Sequence, residues 1–202
     1  MLRRPKAGTF EAHLQTVQVS TDDMWRLSRY PATEPWWSTT ARYRSDDIAG
    51  ATGAATFGVL YVGHTPDVAF AESIIHENSL FNAKTGRFEV AKADLYARSL
   101  VSFKHPAKKR LTLVDLTGDA LKKLGLNNDI SAGSRYRIPQ LWSTAIHAAR
   151  PDADGIRFRS RQLNNDYCYA IYDRSGLDKD DFEALPDDLA DRLCARFNVT
   201  PV

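Results

Sequence analysis

One stretch constrains this chain more than any other: an apolar strand that runs, with no linker, into a capped helix start. Gly58-Val59-Leu60-Tyr61-Val62-Gly63-His64 has the length and composition of a buried strand. Thr65 follows as N-cap, and Pro66 takes the first helical position, where a missing N–H costs nothing. The pattern predicts a helix through residues 68–75 to about Asn78. Other elements fall on both sides of this unit. Met24-Trp25-Arg26-Leu27-Ser28 alternates like a short strand, and residues 96–103 and 111–116 read as strands flanking a basic turn. Residues 117–124 form a short helix stopped by Gly125, residues 138–149 a helix interrupted near its start by Pro139, and residues 187–197 a terminal helix. Residues 155–161 and 167–172 read as a strand pair. Strands and helices mix without strict alternation, which favours α+β over a doubly wound parallel sheet.

The segments between are read from composition. Residues 1–20 show no period and read as a loosely attached arm, so the domain is expected to start at residue 24, with residues 1–23 outside it. Residues 30–37, with two prolines and two tryptophans, read as an ordered loop packing aromatic rings. Residues 45–58, rich in Gly, Ala, Ser, Thr and Asp, read as a flexible loop. The domain is expected to run from 24 to 202 and to end in an acidic helical tail.

At 202 residues the chain is long enough to bury roughly 70% of its unfolded surface in one core. A net charge of +2 does not announce a nucleic-acid binder. Lys104, His105, Lys108, Lys109 and Arg110 nevertheless cluster, and residues 178–191 carry seven acids against one lysine. Two solvated faces account for both; a basic patch for a phosphorylated ligand and an acidic tail for a basic partner are the sharper reading. Two cysteines and five scattered histidines supply neither a disulfide framework nor metal-ligand spacing, so no metal is expected. No apolar run approaches a membrane span, and no apolar stretch follows the basic start, so a reducing cytoplasm is the expected location. Dinucleotide, P-loop and nucleophile-elbow fingerprints are absent.

Chemistry is carried by a few side chains. Glu72 falls in the helical sector of Val68, Ala71 and Ile75, which sets a carboxylate in or beside an apolar stripe. Tyr61 shares a strand face with Val59 and Gly63, and a glycine neighbour leaves room for a flat ligand on the ring. Ser160 lies on the face of Ile156 and Phe158, where a hydroxyl needs a partner, while Arg157, Arg159 and Arg161 point the other way. Arg26, and Arg42 and Arg44 bracketing Tyr43, are candidates for paired hydrogen bonds to phosphate. Each also has a structural reading: helix-edge glutamate, core tyrosine, backbone-bonded serine, surface arginine.

In order and context these pieces resemble the RES-domain family, named for its Arg, Glu and Ser. The resemblance rests on Trp25-Arg26, Arg42-Tyr43, Leu60-Tyr61-Val62-Gly63, Ala69-Phe70-Ala71-Glu72, the helix from Trp142 to Ile146, and Asp154-Gly155-Ile156-Arg157-Phe158-Arg159-Ser160-Arg161, over residues 24–172. It implies a single ADP-ribosyltransferase-like domain, a mixed and mainly antiparallel sheet flanked by helices. It also implies an enzyme that cleaves the nicotinamide N-glycosidic bond of NAD, as glycohydrolase or phosphorylase, and the toxin role in a toxin–antitoxin pair. Glu72, Arg26 and Ser160 would be catalytic, and Arg42, Tyr43, Tyr61 and Arg26 would bind substrate. NAD is then substrate, with no cofactor; water, inorganic phosphate or a protein side chain is the acceptor. A cognate antitoxin is the implied partner, without membrane or nucleic acid, and a homodimer stays open. The alternatives are a protein ADP-ribosyltransferase on the same fold, or a non-catalytic nucleotide- or nucleic-acid-binding module using the turn at 104–110.

Overall fold

The computed structural model describes residues 2–202. Its strands are β1 (Thr16–Ser20), β2 (Trp25–Ser28), β3 (Val59–Gly63), β4 (Leu80–Asn82), β5 (Arg87–Val90), β6 (Ser99–Lys104), β7 (Arg110–Asp115), β8 (Gly155–Arg159), β9 (Tyr167–Tyr172), β10 (Asp178–Ala184) and β11 (Val199–Pro201). Its helices are α1 (Pro66–Phe70), α2 (Lys92–Tyr96), α3 (Gly118–Lys123), α4 (Asp129–Ala132), α5 (Arg137–Ala149) and α6 (Asp187–Arg196). The main sheet has the order β1-β7-β8-β9-β3-β2-β6-β10, antiparallel except for β7 with β8. A small sheet, β11-β5-β4, packs beside it. This is the α+β architecture expected, a mainly antiparallel mixed sheet flanked by helices.

The strand-to-helix unit folds as its residues dictate. Alternation on β3 sends Val59 and Tyr61 to the face covered by α5 through Trp142 and Ile146. Leu60 and Val62 go to the opposite face, with Tyr169, Ile171, Leu111 and Leu113. Thr65 Oγ accepts the Val68 N–H at 3.3 Å, and α1 starts at Pro66. From Ala71 to Ile75 the helix widens into a π turn, with the His76 N–H on Ala71 O at 3.0 Å. Such turns recur at functional positions, and this one carries Glu72. The buried faces of α1 and the π turn, Phe70 and Ile74, pack with Leu27, Leu95, Leu193 and Val199, which ties the small sheet and α6 to the main sheet.

Several expectations are corrected. The arm expected at residues 1–20 is not loose over its described residues, 2–20: β1 pairs with β7 from Thr16↔Val114 to Ser20↔Arg110, and Phe10, Leu14 and Val19 are buried. Their stabilising pairing is with a strand some ninety residues on, which leaves no local period. The first half of the acidic tail is a strand, not a helix, because β10 pairs with β6. Residues 45–58 are anchored, with Ser45, Asp46 and Asp47 buried. Pro139 does not interrupt α5; it sits in the first turn, where the backbone N–H groups have no intrahelical partner anyway. The aromatic loop at 30–37 packs Trp37 against the core, while Tyr30 and Trp36 stay exposed.

A candidate active-site cleft

The site opens where the sheet splits. β3 pairs with β9 over the whole run from Val59↔Tyr172 to Gly63↔Cys168, but with β2 only at Trp25↔Gly63. Beyond that pair the Tyr61 carbonyl has no strand partner, and Arg26 supplies one, donating Nη1–H at 3.2 Å. A side chain thus replaces a ladder bond, and the gap between β2 and β3 opens into a cleft of about 930 Å³. That lies near the upper end of the roughly 300–1,000 Å³ usual for ligand sites. Six arginines against three glutamates line it, so its charge favours an anion.

Glu72 enters this cleft from the π turn. Its Oε1 accepts three donors: Ser160 Oγ at 2.6 Å, Arg161 N–H at 2.9 Å and Gln162 N–H at 3.3 Å. Among the described residues its Oε2 makes no hydrogen bond: His76 Nδ1 stands 3.9 Å away, too far for one, and the buried Cys168 thiol lies beside the carboxylate, its pKa pushed up by burial and by the Glu72 charge. One oxygen is locked and the other is free for a ligand. Ser160, buried at the end of β8, has the partner its position demanded: it donates to Glu72 and accepts from the Gln162 and Leu163 N–H groups. The expected divergence of Arg157, Arg159 and Arg161 holds for two of them. Arg157 pairs with Asp115 at 2.7 Å and, with Arg159, covers Tyr167, but Arg161 lies past the strand end and lines the cleft.

The arginines divide by how far the protein has already used them. Arg26 places Nε 3.0 Å from the buried Glu34 carboxylate and lies 5.9 Å from the Trp36 ring. Arg44 donates to Ile130 O at 3.2 Å and Gly133 O at 2.9 Å and lies 4.7 Å from the Tyr136 ring; burial holds its pKa below the ordinary guanidinium value. Arg42 is exposed beside Tyr43, with no carboxylate partner among the described residues. All of these line the cleft with Tyr43, Tyr61 and Glu72, so the residues singled out in the sequence converge.

Tyr61 is placed differently from expectation. The space beside Gly63 is filled by α1: a Cβ there would stand 2.7 Å from Ala69 N and 3.0 Å from Val68 Cβ. The Tyr61 ring faces Tyr43 instead, centroids 5.6 Å apart. Its hydroxyl donates to Asp46 at 2.9 Å and accepts the Ser45 N–H at 2.7 Å. Burial, with the Asp46 charge adding, pushes the Tyr61 pKa well up, so the phenol stays neutral.

Asp46 is the residue the sequence reading missed. Fully buried, it also accepts from Ser38 Oγ at 2.8 Å and Tyr43 N–H at 3.0 Å, and so holds the Arg42–Tyr43 turn against β3. From the other side Gln140 donates to Ala41 O and Tyr43 O, and Ser143 to Ser45 O. The only signal was an Asp-Asp pair in a loop of small residues, each able to cap local N–H groups.

The basic turn at 104–110 leads elsewhere. Lys104 pairs with Asp180 of the acidic run at 2.8 Å across β6 and β10, and Lys108 pairs with Asp154, ahead of β8, at 3.1 Å, so two of the turn's charges are already matched. Among the described residues no three His, Cys, Asp or Glu side chains are placed to hold a metal ion, and no helix is long and apolar enough to cross a membrane. Cys168 and Cys194 are buried and free.

With this geometry in view, the RES domain family model matches residues 23–189. No curated protein matches the chain. Among solved structures, a chain of the M. tuberculosis MbcT–MbcA toxin–antitoxin complex superposes with a TM-score of 0.62 at 17% identity, covering 93% of this chain and 95% of that one. At that identity the likeness is one of fold.

Proposed function

The chain belongs to the RES-domain family, and on that premise we propose that it cleaves the nicotinamide N-glycosidic bond of NAD, as the toxin of a toxin–antitoxin pair. One observation carries the reading: a cleft carboxylate, Glu72, with one oxygen held by three donors and the other free. Breaking the bond sends its electron pair to the nicotinamide ring, which leaves neutral, while positive charge develops on the ribose. The reaction therefore needs no strong acid; it needs a fixed negative charge beside the sugar. Glu72 supplies that charge, and its free Oε2 accepts a ribose hydroxyl. Ser160 is a positioning residue, since it acts through Glu72. Arg42 meets the pyrophosphate, and Tyr43 and Tyr61 form the aromatic wall.

The acceptor is water or inorganic phosphate, either of which adds at the ribose carbon the nicotinamide leaves. The MbcT–MbcA complex supports a cognate antitoxin as partner. An open, arginine-rich cleft favours a partner that plugs it with acidic residues. Mass spectrometry of the products from NAD, with and without phosphate, tests the activity. Free ADP-ribose or its 1″-phosphate is expected, with nicotinamide; unconsumed NAD, or ADP-ribose found only on added protein, rejects it.

A further inference from the structure

Ser131 is buried, 3% exposed, and among the described residues its Oγ is the buried side-chain polar atom without a hydrogen-bond partner. Buried hydroxyls are seldom left so, because the desolvation is uncompensated. Ser131 also lines the cleft. Its position there is built. It lies in α4, and the Arg44 fork grips the carbonyls on either side of it, Ile130 O and Gly133 O, with Tyr136 against the guanidinium. The segment is pinned from inside the site, which fixes Ser131 in the cleft wall.

The surroundings specify the ligand atom. Arg44 has no carboxylate ion-pair partner among the described residues, and Arg161 shares the cleft with it. Glu72, the acid whose charge reaches Arg44, already gives one oxygen to three donors. A hydroxyl in a cationic corner donates best to an oxyanion. We propose that Ser131 donates a hydrogen bond to a phosphoryl oxygen of the bound ligand, with Arg161 as the neighbouring charge. The inference rests on the nucleotide reading of the cleft and adds a residue to it. The phosphoryl group belongs either to the dinucleotide's pyrophosphate or to a free phosphate ion.

Ser131→Ala tests this with an unusual signature. Removing an unpartnered hydroxyl leaves the free protein at least as stable, while one lost hydrogen bond to a charged group weakens binding about tenfold. Calorimetric titration with pyrophosphate reads the site without turnover, so it tests Ser131 even if NAD is not consumed. Expected are an unchanged or raised thermal midpoint and about tenfold weaker pyrophosphate binding. In turnover, a raised KM for NAD with little change in kcat assigns the contact to the dinucleotide. Loss of phosphate-stimulated nicotinamide release, with KM for NAD unchanged, assigns it to free phosphate. Unaltered pyrophosphate binding, with phosphate-stimulated release also unaltered, overturns the proposal. So does a lowered midpoint, which would give the hydroxyl a structural role.

Discussion

The substitution Glu72→Gln separates the charge of the carboxylate from its shape. The carbonyl oxygen of the introduced amide can take the place of Oε1 and keep all three donors, Ser160 Oγ–H, Arg161 N–H and Gln162 N–H. The amide nitrogen then stands where Oε2 was, a position with no hydrogen-bond partner among the described residues and with His76 Nδ1 3.9 Å away. Packing is conserved, and the loss is electrostatic. In the folded protein, three hydrogen bonds lose their ionic character, each worth up to about 1 kcal/mol. With a quarter of the side chain exposed, the sum is nearer about 1–2 kcal/mol, a fall in midpoint of roughly 2–8 °C. In the transition state the loss is larger, because the carboxylate faces charge that exists only as the bond breaks. Removing one such contact costs about 3–4 kcal/mol, or 10²–10³-fold in kcat. Nicotinamide release followed by chromatography gives kcat and KM, and a thermal melt gives the midpoint. The expected result is a large fall in kcat with KM within about threefold of wild type. A variant with kcat within tenfold of wild type and a sharply lowered midpoint would refute the argument and leave Glu72 as the anchor of residues 160–162.

Asp46→Asn should destabilise the fold by about 1–3 kcal/mol, since an amide cannot accept from Ser38, Tyr43 and Tyr61 together. KM should rise with kcat nearly unchanged, and an unaltered KM would show that Asp46 does not position the Arg42–Tyr43 turn. Arg26→Lys should destabilise by about 1–3 kcal/mol, because one ammonium cannot serve both Glu34 and the Tyr61 carbonyl; a melt coincident with wild type would place the support of the sheet split elsewhere. Burial alone would raise the Asp47 pKa, but donors from Thr56, Ala49 and Thr144 outweigh it and hold it below the ordinary 3.8. Its stabilisation is therefore complete above that value and lost as pH falls through the lower folded value. Wild-type stability should drop more steeply than that of Asp47→Asn as the pH falls below 3.8, and parallel profiles would deny the linkage.

What could be read in advance was local. The β3–α1 unit, β2, β7, β9, α5 and α6 each carry their own period, cap or stop residue. β4 and β5 do not: Leu80 and Phe81 are adjacent and both exposed, so no alternation marks them. β10 contains Asp178, Asp180, Asp181 and Glu183 and is a strand because β6 offers it an edge and Lys104 offers it charge. Those two causes lie some seventy residues away. Glu72 and Ser160 were legible because each broke an apolar pattern, and the structure brings them into one hydrogen bond. Asp46 broke no pattern, since an aspartate in a polar loop looks solvated until the fold buries it. Its Ser38, Tyr43 and Tyr61 donors become neighbours only after β3 and the 38–46 segment have met.

The same logic reorders the arginines. Sequence alone treats a guanidinium as available, and six line this cleft. Arg29 is paired with Asp94, and Arg98 is buried on Asn78 and the carbonyls of Asp94 and Leu27. Arg26 is committed to Glu34 and the Tyr61 carbonyl, and Arg44 to two carbonyls of the α4 segment. Among the described residues Arg42 has no acid partner, and the Arg161 guanidinium has only His76 Nε2 at 3.4 Å. A phosphate entering the cleft gains most from the guanidinium groups that give up least to receive it. Among the described residues Arg42 and Arg161 are therefore the least committed of the cleft's guanidinium groups, while Arg26 caps the Tyr61 carbonyl where the sheet splits. Of the three arginines expected to grip phosphate, Arg26 and Arg44 are already committed to protein partners, and Arg42 is exposed with no acid beside it among the described residues.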